Sequence, residues 1–290
     1  MTRRLTLVAL ALLLVPALAA PTQPPPGSLF ARENLLAWCI VPYDSLHRRP
    51  AERIAMLREL GFTQYVWDWR QQHLADLPEE IRAARAGGVR MRGVWLWIDA
   101  KADAVGRLGA ANRAVVDAVD AAQLPLEFWV GMHDNVFEGL DDAARLKTAA
   151  AWFSYLREVA AGSRSTVALY NHGGWFGEPE NQLRVIEAAG PTTLGIVYNF
   201  HHAYNEASRF AAVLPRMLPY LRAVNLSGVV DGRPNVIPIG AGTREREMLR
   251  VLQASGYAGP IGILGHTEGE DVALALQRNL AGLRAIVPSR

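Results

Sequence analysis

The chain has 290 residues, 50% of them hydrophobic and 20% charged, with a single cysteine. That length and apolar share can fill one large core, and one cysteine excludes an internal disulfide framework. Basic residues outnumber acidic ones only 30 to 28, and setting aside Arg3 and Arg4 with the leader leaves 28 to 28, so no electropositive footprint for nucleic acid remains.

Arg3 and Arg4 precede an apolar run over residues 5–14 and small residues at Ala17, Ala19 and Ala20, the layout of a secretory signal peptide cut after Ala19. No cysteine stands at that cut to accept a lipid, and the run is too short for a membrane span. The mature protein is therefore expected to be exported and soluble, periplasmic or extracellular, without stable membrane insertion. Residues 20–34 read as a spacer, rich in Pro and Gly over 21–28, and the fold is expected over residues 35–287.

Residues 35–41 make the first apolar run, ended by Pro42, and a helical pattern over 51–60 stops at Gly61. Cys39 lies in that run and reads as a small buried hydrophobe. A strand over 63–69 and a helix over 77–86 follow, then a strand over 94–98, an Ala-rich helix over 112–122 and a strand over 124–132. The helix over 140–161 spaces Ala143, Leu146, Ala150, Phe153 and Leu156 along one face. The fifth strand spans 167–170, a helix 183–189 and the sixth strand 193–197. Pro215 and Pro219 are expected to interrupt the helix that opens over 207–214. The seventh strand spans 221–226, and a Gly- and Pro-containing excursion covers 228–242. A helix over 245–255, the eighth strand over 261–264 and a terminal helix over 271–286 complete the chain, the last with Leu274, Leu276, Leu280 and Leu283 among its apolar positions. Eight strands alternating with eight helical connections are the pattern of a single-domain α/β fold, the (β/α)8 TIM barrel. No glycine-rich phosphate cradle follows the first strand, which argues against a doubly wound sheet.

In a barrel the C-terminal strand ends converge on one mouth, and the polar residues collect there. Strand two ends in Trp67, Asp68, Trp69 and Arg70, strand three in Trp95, Trp97 and Asp99, and strand four in His133, Asp134 and Asn135. Strand five carries Tyr170, Asn171 and His172, with Trp175 just beyond two glycines. Asn199, His201 and His202 close strand six, Asn225 closes strand seven, and His266, Glu268 and Glu270 follow strand eight. Five of the seven histidines thus fall at or just beyond strand ends. His133, His172, His202 and His266 are the candidate acids or bases, because imidazole titrates near neutrality. Trp67, Asp68, Trp97, Tyr170, Asn171, Trp175, Asn199, Asn225 and Glu268 are the candidate substrate contacts. One member of each pair, Trp67 with Trp69 and Trp95 with Trp97, is expected to pack between sheet and helices while the other offers its face to a sugar ring.

The segments LYNHGGW at 169–175, GIVYNFHHAY at 195–204, AVNLSG at 223–228, IPIGAG at 237–242 and GYAGPIGILGHTEGED at 256–271 together resemble the xylose-isomerase-like TIM barrels. That group includes sugar phosphate isomerases and epimerases and endonuclease-four-like proteins, and the resemblance runs over residues 35–287. It implies a divalent metal held by a Glu at strand five, an Asp at strand six, a His at strand seven and a Glu at strand eight. The corresponding places here are Tyr170, Asn199 with His202 following, Asn225, and Gly265 or His266 with Glu268 just beyond. Tyr and Asn lack the charge that offsets dehydration of a hard ion, so no metal ligand is assigned. A softer divalent ion on some of His133, His172, His202 and His266 with Glu268 stays open.

The resemblance implies an isomerase or epimerase acting on a carbohydrate or keto-sugar by proton transfer next to a carbonyl. Elimination from a 3-keto-glycoside is a second chemistry for the same groups, and a catalytically silent sugar-binding barrel is the reading from another class. A phosphorylated substrate is disfavoured by export and by Arg70 standing out alone as a basic rim residue. A nuclease needs several metals and an electropositive face, and the sequence displays neither. Oligomeric state leaves no sequence signal.

Overall fold

A computed structural model describes residues 29–190, 193–232 and 236–287. The signal-peptide reading and the Pro-rich stretch 21–28 lie outside these residues. Among them, eight parallel strands close into a barrel in chain order: β1 (Leu35–Trp38), β2 (Gln64–Trp67), β3 (Arg90–Ile98), β4 (Glu127–Met132), β5 (Thr166–Tyr170), β6 (Gly195–Asn199), β7 (Leu221–Leu226) and β8 (Ile261–Leu264). β1 closes on β8 from Leu35 opposite Ile261 to Trp38 opposite Leu264. The connections carry α1 (Pro50–Glu59), α2 (Leu77–Gly87), α3 (Ala110–Ala121), α4 (Asp142–Ala161), α5 (Gly174–Gly177), α6 (Pro179–Ala188), α7 (Phe210–Met217) and α8 (Glu245–Ala254), and α9 (Val272–Ile286) follows β8. The (β/α)8 expectation is met.

Every residue of β1, β2, β6 and β8 is buried. A parallel strand in a barrel faces helices on one side and the interior on the other, so it reads as a continuous apolar run. β3 starts four residues before the expected Val94, at Arg90, where it pairs with Gln64 at the N-terminal end of β2. There Arg92 Nη1 donates to Gln64 Oε1 at 3.1 Å. Pro215 sits inside α7 instead of breaking it. Burial of Phe210, Val213, Leu214 and Met217 carries the helix past the lost hydrogen bond, and the α-helix yields to a 3-10 turn only at Leu218–Tyr220, beside Pro219. On α4 the buried face runs through Ala149, Trp152, Phe153, Leu156 and Ala160, leaving Ala143 exposed. Leu274 on α9 is 53% exposed, a departure from its expected apolar face.

Leu29 is already buried, and Asn34 Nδ2 donates to the carbonyls of Leu29 and Gly259, so packed chain begins ahead of β1. Inside the barrel, Trp38 from β1, Trp95 from β3, Trp129 from β4 and Tyr170 from β5 meet ring to ring. Trp38 lies 5.0 Å from Trp129, and Trp95 lies 4.7 Å from Tyr170, both edge to face. Contacts among these strands across the axis fill the interior, as a packed barrel core requires. They also form the floor of what lies above.

Candidate functional site

A cavity of about 700 Å³ opens at the C-terminal mouth. Its floor is Trp38, Trp95 and Tyr170, and its walls come from Asp68 to Gln71 after β2, Trp97 and Asp99 on and after β3, His172 after β5, Asn199, His201 and His202 at and after β6, and His266 after β8. Trp95 and Trp97 both face it, stacked at 5.7 Å and 18°. The expectation that this pair splits is wrong, since residues two apart on a strand share a side. Gly131, paired with Trp97 on β4, makes room: a methyl there would lie 2.5 Å from Trp95 Cη2 and 2.7 Å from Trp97 Cζ3.

At the floor Tyr170 Oη accepts Trp38 Nε1–H at 2.9 Å and also Asn199 Nδ2–H. Burial pushes this phenol well above its ordinary pKa, so it stays neutral. Asn199 Oδ1 accepts from His201 N at 3.0 Å, which caps the 3-10 turn Phe200–His202 and aims both histidines. After β1 the chain turns at Cys39 with a left-handed φ of 55°. The next two amides, Ile40 and Val41, then donate to Asp68 Oδ1 at 3.1 and 3.2 Å, while Asp68 Oδ2 is buried without a partner among the described residues. Burial raises the Asp68 carboxyl to about 6, against the downward pull of those amides and Arg70. Cys39 is half-buried on the cavity wall, its thiol pushed up by burial.

The histidines touch in series. His172 lies 4.3 Å from His202, His202 4.6 Å from His201, and His201 5.5 Å from His266. Burial lowers all four, and charge on one opposes charge on the next: His201 and His266 fall to about 4 and His202 well below its usual value. At neutral pH this wall is uncharged.

Of the sequence candidates, Asp68, Trp97, Tyr170, His172, Asn199, His202 and His266 line the cavity. The others do not, each for a local reason. Trp67 is fully buried and, as the strand neighbour of cavity-facing Asp68, turns to the helix side. Asn171 exchanges hydrogen bonds with the Asn199 backbone, at 2.7 Å to Oδ1 and 3.2 Å from Nδ2, which stitches β5 to β6. Trp175 packs on Phe137 and donates to Asp142 on α4. Asn225 is buried beside Gly262, the position where a side chain would collide with its Oδ1. His133 is exposed at the rim, its Nδ1 accepting from Asn135 N, and Glu268 is exposed with its carboxylate 3.9 Å from His266 Nε2. Among the cavity residues the candidate set left out are Trp38, Tyr43, Arg70, Trp95 and His201. His201 was legible beside His202. Tyr43 was not, because it reaches the cavity from the loop after β1 to stack on His266 at 3.7 Å and accept from Arg70 at 2.7 Å.

A hard divalent ion does not fit the places the resemblance assigns to it. Tyr170 and Asn199 are bonded to each other there, and two N–H donors point at the phenol oxygen where a carboxylate would face the ion. Among the described residues, no three His, Cys, Asp or Glu side chains are grouped to hold an ion.

No curated protein matches the sequence. Solved structures share the fold: a 3-keto-D-glucoside 4-epimerase from E. coli (TM-score 0.66, 17% identity, 87% of this chain and 99% of that one), a D-psicose 3-epimerase from Clostridium cellulolyticum H10 (0.61, 11%, 87% and 98%) and an AP endonuclease of family 2 from Brucella melitensis (0.60, 17%, 87% and 97%). The family model described as xylose isomerase-like TIM barrel matches residues 48–285, and the chain belongs to that family.

Proposed function

We propose that this barrel is a carbohydrate-active enzyme that moves a proton on the carbon next to a carbonyl of a keto-sugar, without a divalent metal. The observation that carries the reading is the stacked Trp95 and Trp97 wall meeting uncharged histidines across one cavity at the barrel mouth. The indoles offer apolar faces to sugar C–H groups. His172, exposed to the cavity and held unprotonated, is the candidate base, and the N–H groups of His202 and His266 are donors for the charge that develops on the carbonyl oxygen. The leader composition supports release outside the cytoplasm. The same groups serve elimination of a glycosidic substituent. A catalytically silent sugar binder is the second reading, favoured by Tyr170 and Asn199 closing the place of the resembled metal.

The test is a turnover screen of purified protein on sugars and keto-sugars, beginning with a 3-keto-glucoside, with and without chelator. Conversion that chelator leaves unchanged is expected. Binding with no conversion would leave the silent binder standing, and chelator-sensitive conversion would overturn the metal-free chemistry.

A further inference from the structure

Six rings run in series around the mouth: Trp97, His172, His202, His201, His266 and Tyr43. Successive centroids are 4.8, 4.3, 4.6, 5.5 and 3.7 Å apart, and all six residues line the cavity. The belt passes from β3 through the ends of β5, β6 and β8 to the loop after β1. Each step is about one ring width, so a single six-membered sugar ring reaches only two or three of these rings at once. The cavity, at about 700 Å³, lies in the upper half of the roughly 300–1,000 Å³ range of small-molecule sites.

Charge narrows the ligand further. Arg70 is the one Lys or Arg among the described lining residues, and its guanidinium donates to the Trp69 carbonyl at 2.9 Å and the Tyr43 hydroxyl at 2.7 Å. Three carboxyl residues, Asp68, Asp99 and Asp103, share the same walls. Asp99 is held below its usual pKa by Asn135 and the Lys101 amide, so it is firmly ionised. Asp103 accepts from Asn112 and from the Asp99 and Gly109 amides. The histidines add no positive charge at neutral pH. A phosphate or carboxylate on the ligand would meet one cation, Arg70, set against three carboxyl residues on the same walls.

We infer that the site takes an uncharged glycoside of at least two sugar units, laid along the ring belt, in preference to a free monosaccharide or a sugar phosphate. This rests on the carbohydrate reading above and specifies its substrate class. The belt supplies aromatic surface at both its ends, Trp97 at one and Tyr43 with His266 at the other, while ring N–H groups and the Tyr43 hydroxyl meet sugar hydroxyls.

Tryptophan fluorescence and calorimetric titration with glucose, maltose, cellobiose and glucose 6-phosphate test it. At least one disaccharide is expected to bind about tenfold tighter than glucose, one stacked ring's worth, with glucose 6-phosphate no tighter than glucose. Trp97→Ala and, from the other end of the belt, Tyr43→Ala each shrink the disaccharide-to-glucose affinity ratio at least threefold. Circular dichroism confirms that each variant is folded, and two ends of the belt give two independent readings. Equal affinity for glucose and both disaccharides, tightest binding of glucose 6-phosphate, or an unchanged ratio in both folded variants overturns the two-unit glycoside while leaving a sugar site. Failure of all four probes to bind overturns the carbohydrate reading itself.

Discussion

Tyr170 is the residue on which the mouth turns. It stands where the resembled enzymes carry a carboxylate, yet its hydroxyl is buried and accepts hydrogen bonds from the Trp38 indole and the Asn199 amide. Those bonds link β1, β5 and β6 at the cavity floor, and Asn199 in turn orients His201. Tyr170→Phe removes the shared acceptor and leaves two buried donors facing a hydrocarbon edge. The expected cost is about 1–3 kcal/mol of stability, read as a lower urea midpoint with an unchanged slope. A neutral result would mean that the two N–H groups find other acceptors, and that Tyr170 is filling space alone. Asn171, its neighbour, shows how fine the distinction is. One residue further along the chain, its amide is spent on the β6 backbone and offers the cavity nothing.

At the scale of elements, β3 and β4 build the aromatic wall together. Trp95 and Trp97 lean across Gly131, and any side chain at that position meets indole carbons. Gly131→Ala therefore forces both rings out of their stack. Overpacking of this kind costs about 1–3 kcal/mol, and the displaced wall should lose its near-ultraviolet circular dichroism signal in step with sugar affinity. Retention of both signal and affinity would show that the wall yields without consequence. The strands themselves were readable because parallel barrel strands are buried on two sides: the seventh and eighth match residue for residue, and the other six shift at one or both ends. Polar strand residues hid the start of β3, and a helix-breaking residue in α7 was outweighed by its buried face. The convergence of His172, His202 and His266 was readable for a topological reason, since parallel strand ends must gather at one rim. Which strand-end side chains face the cavity was harder, because a one-residue step reverses the facing, as Trp67 and Asp68 show. Arg70 was readable at the end of strand two, whereas Tyr43 reaches in from the loop after β1, where no periodicity points anywhere.

For the whole molecule, the histidine wall makes stability depend on acid. His201 and His266 titrate near 4 in the folded protein, against about 6.5 in an unfolded chain. Between those values the unfolded chain binds more protons, so these two groups withdraw stability as pH falls from 6.5 towards 4, by at most about 1.4 kcal/mol per pH unit each. Buried carboxyls act in the opposite sense. Asp68, raised to about 6, and Glu206, raised to about 8, keep protons in the fold that the unfolded chain has released, and they withdraw stability as pH rises through those values. Total stability therefore mixes both signs, and a difference isolates the wall. In the double variant His201→Asn and His266→Asn neither position takes up a proton, while the carboxyl contributions are unchanged. The melting temperature of wild type minus that of the variant is expected to fall steadily from pH 7 to pH 4.5 and to stay flat from pH 7 to pH 8. A difference that is level across the acid range would mean that both imidazoles protonate freely in the folded state. The ring belt would then carry positive charge under mildly acidic conditions, and its preference for uncharged ligands would be confined to neutral pH and above.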